Sequence, residues 1–242
     1  MATAAEHYEN HLAPLYPWMA GGSEAALQAG DAEIAALDLL ITPGSVALDL
    51  GAGFGMHAIP LARRGVRVVA IDSSVELLRT LTGLRGDLPI EAVRADLLDF
   101  QRFMTRAPCA ILCMGDTITH LPGLREVDDL LDRAAAALAR GGSFVVSFRD
   151  YSVPLVDERR FIAVRNDATR ILTCFLEYEE EVVRVHDILH ELGTDGWQTR
   201  VSHYPKLRLP PRYLVARLES HGLNVRREAG IHGMLRIVAR KT

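Results

Sequence analysis

Cysteine is scarce in this chain, with Cys109, Cys113 and Cys174 the three among 242 residues. Three thiols cannot all pair within one chain, and none stands in a C-x-x-C arrangement. No disulfide framework is therefore expected, and a reducing, cytoplasmic setting suits the chain better than secretion. An excess of either charge is lacking too. The 27 lysines and arginines against 31 acids leave a net charge of −4, which offers no general attraction to phosphate backbones and argues against nucleic acid as a partner. No apolar run reaches the ~20 residues that cross a bilayer, so no membrane partner is expected. Glu6 and Glu9 stand where a signal peptide would have its apolar core. Internal repeats and low-complexity stretches are also missing. What is present is a chain 49% hydrophobic, long enough for one large α/β domain with a substantial core.

Residues 46–58, V-A-L-D-L-G-A-G-F-G-M-H-A, organise that domain. A short apolar run holding one carboxylate, Asp49, reads as a buried parallel strand. The glycines that follow suit a sharp turn and a close backbone approach to a ligand, and the helix start beyond them can receive a ligand's polar end. Gly51, Gly53 and Gly55 give G-x-G-x-G. The NAD or FAD fingerprint needs its third glycine one place later, where this chain has Met56.

Strands are expected at 66–71, 89–93, 110–114 and 143–148, with helices over 23–40, 58–64, 74–84 and 124–139. Gly30 is a possible interruption of the first helix, and Gly65 and Gly141-Gly142 are stops. This alternation predicts a doubly wound, mostly parallel sheet, seven-stranded once strands at 225–228 and 234–239 close it, with its ligand beyond the carboxyl ends of the strands. Asp72, Asp96, Asp116 and Asp150 all follow strands on that edge. Asp72 lies about twenty positions past the first glycine, where a carboxylate can accept hydrogen bonds from ribose hydroxyls. Segments 161–164, 170–178, 182–191 and 197–207 are rich in β-branched and aromatic residues and read as an inserted antiparallel meander. The division expected is a helical segment at 1–40 covering the ligand site, a core at 41–152 and 208–242, and a lid or oligomerisation insertion at 153–207. The aromatic residues at the chain start, Tyr16 and Trp18 among them, either cover a hydrophobic patch or close over a ligand.

The glycine motif with Asp49 before it and Asp72 beyond resembles motif I of class I S-adenosylmethionine-dependent methyltransferases. Gly55-Met56-His57, the turn 115–121 and the meander are similar to small-molecule N-methyltransferases of the glycine and amino-sugar type. The resemblance implies S-adenosylmethionine as cofactor and a small-molecule acceptor, with N-methylation ahead of O-methylation. It implies that Gly51-Ala52-Gly53 passes the methionine portion, with Asp49 and the Met114 carbonyl near its ammonium. Asp72 would hold the ribose, Ser73 would sit by the adenine, and Asp96 with the Leu97 backbone would reach the exocyclic amine.

His120, whose reference pKa lies near neutrality, is the candidate base or positioning group, with Asp116 beside it. The competing reading is a helix-start histidine bonded to Asp116 or backbone. Arg149 and Tyr151 are candidates for the acceptor pocket, against surface pairing for Arg149. His186 and His190, four apart on a strand, stand ~13 Å from each other, too far to share a metal ion. Two other functions remain open: a nucleotide-cofactor oxidoreductase of the NAD(P) type, and a non-catalytic S-adenosylmethionine-binding regulatory subunit. A homodimer through the meander's exposed edges is also expected.

Overall fold

The computed structural model describes residues 4–242; the first three positions of the 1–40 segment lie outside the described residues. Five strands run parallel: β1 (Val46–Leu50), β2 (Arg67–Asp72), β3 (Ile90–Arg94), β4 (Ala110–Cys113) and β5 (Ser143–Phe148). Strands β6 (Phe161–Asn166), β7 (Arg170–Tyr178), β8 (Val182–Gly193) and β9 (Gly196–Leu207) form a second sheet. Strands β10 (Leu223–Ala229) and β11 (Leu235–Lys241) return to the first, whose order is β10-β11-β5-β4-β1-β2-β3, with β11 antiparallel to β5. The strand order reverses between β1 and β4, so the loops after these two strands diverge and leave a crevice at their carboxyl ends.

Helices α1 (Ser23–Ala36), α2 (Ala58–Arg63), α3 (Val75–Arg85), α4 (Leu124–Ala137) and α5 (Pro211–Ser220) cover the first sheet. Every residue of β1 and β5 is buried, as expected of central strands sheathed on both faces. Helix α4 buries Val127, Leu130, Leu131, Ala134 and Ala135, the 3.6-residue spacing of one apolar stripe. Ser74 starts α3 by accepting the Leu77 amide. The helix expected over 23–40 stops early because Leu37 is itself core and Asp38 turns left-handed. Residues 97–103 form a 3-10 helix, capped by Asp96, where no helix was expected.

The insertion is a four-stranded antiparallel sheet, β6-β7-β8-β9, with a bulge between Ala163 and Arg165. Val183, Val185, Asp187 and Leu189 of β8 are buried and alternate with half-buried neighbours. The inner face packs on a run of short helical turns at the chain start, through Leu12 and Leu15. Among the polar ties that hold that run are His7 to Asp187 at 3.0 Å, the Ser74 hydroxyl to Glu9 at 2.6 Å, and the Trp18 indole to Asp167 at 2.6 Å. The outer face leaves Phe161, Trp197 and Val201 more than half exposed.

Gly30 does not interrupt α1. A Cβ there would lie 1.9 Å from the Met56 carbonyl, so the missing side chain is what lets the helix lie against the glycine loop. We expect Gly30→Ala to cost about 1–3 kcal/mol through overpacking, whereas Gly83→Ala, in α3 with nothing within 4 Å, should stabilise by up to about 1 kcal/mol; urea unfolding of both variants checks the opposed signs.

Asp49 sits in β1 between Ala70 and Leu112, with the Ala58 amide donating to its carboxylate while Oδ2 is buried without a partner. Burial pushes its pKa up to about 6, an effect the nearby His57 partly offsets. The folded value exceeds the unfolded value of about 3.9, so the contribution to stability is fully present below pH 4 and is lost as pH rises through 6. The difference amounts to roughly 3 kcal/mol. Urea melts of Asp49→Asn at pH 4 and 7.5 should show this loss removed relative to the parent protein.

Candidate active site

Beyond the carboxyl ends of β1, β2 and β4 lies a cavity of about 600 Å³. The loop Gly51-Ala52-Gly53 forms one wall, Asp72 and Ser73 a second, and Ala95 to Leu98 an apolar third. Met114, Thr117 and His120 line the β4 side, and Tyr8 and Tyr16 reach in from the chain start. Gly51 has φ +73°, and a Cβ on it would lie 2.4 Å from the Thr117 methyl carbon. Its bareness therefore admits Thr117 across the crevice as well as shaping the turn. Gly55, at φ +93°, makes room for Leu81 of α3, which a Cβ would meet at 2.3 Å.

Asp72 carries the wall opposite Thr117. Its Oδ2 accepts the Gly53 amide at 2.7 Å and its Oδ1 the Ser74 amide at 2.8 Å. Burial raises its pKa, and those two amides act against the rise. Each oxygen has further lone pairs for a hydroxyl donor. Asp96 accepts the Leu98 amide at 2.8 Å and lines the cavity together with Leu97. The Met114 carbonyl accepts the Thr117 hydroxyl at 2.7 Å, which leaves it one lone pair.

His120 stacks on Tyr204 with ring centroids 5.6 Å apart at 17°, and Tyr8 meets it edge-on at 5.0 Å. Its Nδ1 is buried without a partner. Burial first, and then the charge of Lys206, push its pKa down to about 3. The imidazole is therefore neutral across the physiological range and is a weak base. Burial also raises the Tyr16 pKa to about 12, so that phenol keeps its proton.

Several residues singled out from the sequence do not line the cavity. Asp116 is 3% exposed and is reached by three donors: the Arg149 amide at 2.9 Å, the Tyr151 hydroxyl at 3.0 Å and Lys206 Nζ at 2.5 Å. Burial alone would raise its pKa, but the Lys206 charge and hydrogen bonds hold it below the usual range. It is a structural clamp between the β4 loop and β9. Tyr151 donates to that clamp, and the Arg149 guanidinium donates to the His232 carbonyl at 2.7 Å; neither is among the residues that line the cavity. Trp18 is turned to Asp167, with Arg170 over its ring at 5.8 Å. Asp49 lies beneath the glycine loop, outside the cavity wall.

Other residues reach the site without having been chosen from the sequence: Tyr8, His57, Thr117 and Glu126 line it, and Lys206 and Tyr204 support it from behind. Tyr8 was legible within the aromatic run at the chain start, and Lys206 only as an inward position in a strand. His186 pairs with Glu177 at 2.9 Å and His190 with Thr199 at 2.9 Å, and among the described residues no cluster suited to a metal ion occurs. Among them, too, no helix is long and apolar enough to cross a membrane.

Residues 47–142 match a protein family described as a methyltransferase domain. A glycine/sarcosine N-methyltransferase from Aphanothece halophytica is 28% identical over 113 residues, 46% of this chain and 42% of that protein. A dTDP-3-amino-3,6-dideoxy-alpha-D-glucopyranose N,N-dimethyltransferase from Streptomyces fradiae is 30% identical over 140 residues, 57% of this chain and 53% of that protein. The chain thus spans about half the length of the curated relatives it matches. In fold it is similar to an amino pentose methyltransferase of Micromonospora echinaspora, solved with S-adenosylmethionine bound, at a TM-score of 0.74 and 18% identity, covering 95% of this chain and 96% of that one. With the glycine loop, the acid after β2 and the crevice at the strand reversal already in place, residues 47–142 are thus similar to a methyltransferase domain, and the chain shares the fold of a solved methyltransferase.

Proposed function

We propose that the protein transfers a methyl group from S-adenosylmethionine to a small-molecule amine. The observation that carries this reading is Asp72. Two backbone amides fix its carboxylate at the cavity wall with lone pairs to spare, as a ribose diol requires. The apolar shelf of Ala95, Leu97 and Leu98 beside Asp96 suits a purine with an exocyclic amine. The Gly51 to Gly53 peptides and the remaining lone pair of the Met114 carbonyl suit an amino-acid end. The residues present therefore fit the donor. The relatives named for glycine, sarcosine and amino sugars support nitrogen as the acceptor atom.

S-adenosylmethionine, when bound, supplies a methyl group on a sulfonium, which is already an activated leaving group. The chain's own tasks are alignment and exclusion of water. Tyr8 and Tyr16 narrow the cavity from the chain start. His120, neutral and held between Tyr8 and Tyr204, positions the acceptor by hydrogen bonding; its depressed pKa makes it a poor store for the released proton.

In this reading residues 1–40 cover the donor site and 153–207 enclose the acceptor, while 41–152 and 208–242 are the core. Three free cysteines support a reducing, cytoplasmic setting. The apolar outer face of the second sheet supports a homodimer, with Phe161, Trp197 and Val201 as contacts.

Isothermal titration should show S-adenosylmethionine and S-adenosylhomocysteine binding in preference to NAD; preference for NAD would overturn the reading in favour of the oxidoreductase. Asp72→Asn should weaken S-adenosylhomocysteine about 10- to 100-fold, as expected for hydrogen bonds to a charged group, and an unchanged dissociation constant would rule out the ribose role. For His120→Ala, stopped-time assays of S-adenosylhomocysteine formation with a competent amine should give a kcat lower by about 10-fold or more at unaltered donor affinity.

A further inference from the structure

His57 ends the glycine loop and immediately precedes α2. It is 8% exposed and is among the residues that line the cavity. Behind it stands Glu33 of α1, itself 5% exposed, whose Oε2 lies 3.0 Å from His57 Nε2. The other Glu33 oxygen faces Arg236 of β11 at 3.6 Å, and Arg236 is bonded in turn to Glu228 of β10 at 2.7 Å. Four ionisable groups thus run in a row from the cavity wall to the far edge of the first sheet. A buried carboxylate such as Glu33 is costly to keep unless it is paired. Its partners are an arginine and the ring that faces the ligand space.

That arrangement fixes the ring. The Glu33 carboxylate accepts from Nε2, so the proton sits there, and Nδ1 is the nitrogen left for something other than Glu33. Among the described residues, the ionisable side chains of the cavity wall are Asp72, Asp96, Glu126, His57, His120 and the two tyrosines. The carboxylates cannot receive an anion, and burial keeps His120 neutral. His57 has a carboxylate behind it, and an imidazolium in that place would donate from both nitrogens, one to Glu33 and one to an incoming carboxylate.

On the reading that this cavity holds S-adenosylmethionine, we propose that His57 is a donor-binding residue for the carboxylate of the amino-acid end, and that Glu33 is its positioning residue. The ammonium of the same end is left to main-chain carbonyls at Gly51 and Met114, which line the same cavity.

Two ligands separate this assignment from the reading it rests on. S-adenosylhomocysteine carries the amino-acid end, and methylthioadenosine is the thioether nucleoside without it. By isothermal titration, His57→Ala should weaken S-adenosylhomocysteine about 10- to 50-fold, the scale of one charge-assisted hydrogen bond, while methylthioadenosine changes by less than about twofold. Retained methylthioadenosine binding also reports an intact fold. Glu33→Gln, which keeps an acceptor for Nε2 without the charge, should give a smaller loss confined to the same ligand. Equal losses on both ligands, or no loss on either, overturn the role of His57 alone. Failure of the parent protein to bind either ligand overturns the donor reading, and this assignment with it.

Discussion

One buried carboxylate, Asp116, holds the two sheets together. It projects from the loop after β4 at a left-handed position, φ +76°, and gathers a lysine from β9, a tyrosine hydroxyl and the Arg149 amide. An ion pair this deeply buried is weak evidence of net stabilisation, but losing one partner strands a charge in the interior at a cost of about 3–5 kcal/mol. Its value lies in register. Tyr204, two residues before Lys206 on the same strand face, is set against His120, four residues after Asp116. The clamp therefore places the wall of the cavity by fixing what lies on either side of it.

The same accounting of charge separates the polar groups that face the ligand space from those that do not. Asp72 and Asp96 accept backbone amides of the glycine loop and of their own loops and line the cavity. Asp116, Tyr151 and Arg149 bond to Lys206, to one another and to backbone, away from the cavity wall. Four acids follow four strands of this sheet, so position along the strand could not tell these fates apart. The distinction arises from Lys206, which lies 90 residues from Asp116 along the chain.

That is where the sequence stops being readable. The central sheet was legible because β1 and β5 are short, largely apolar runs and because glycine and proline punctuate the crossovers. The meander was legible from alternation and turn residues. The wall formed by the glycine loop and Asp72 followed from that loop and its spacing to the acid, both local features. The side around His120 depends on contacts between segments far apart in the chain: Tyr8 with His120, Tyr204 with His120, Lys206 with Asp116. Trp18 illustrates the limit in the other direction. It belongs to the same aromatic run as Tyr8 and Tyr16, but its indole nitrogen needs an acceptor, and Asp167 on the second sheet supplies one away from the cavity.

The chain start is fastened to different parts of the molecule, among them β8 through His7, the α3 cap through Glu9, and the β6–β7 turn through Trp18. Because Tyr8 and Tyr16 lie between these fastenings and line the cavity, one wall of the pocket is carried by a segment whose partners stand 65 to 180 residues away along the chain. The shape of that wall thus depends on the second sheet as much as on the strands beneath it.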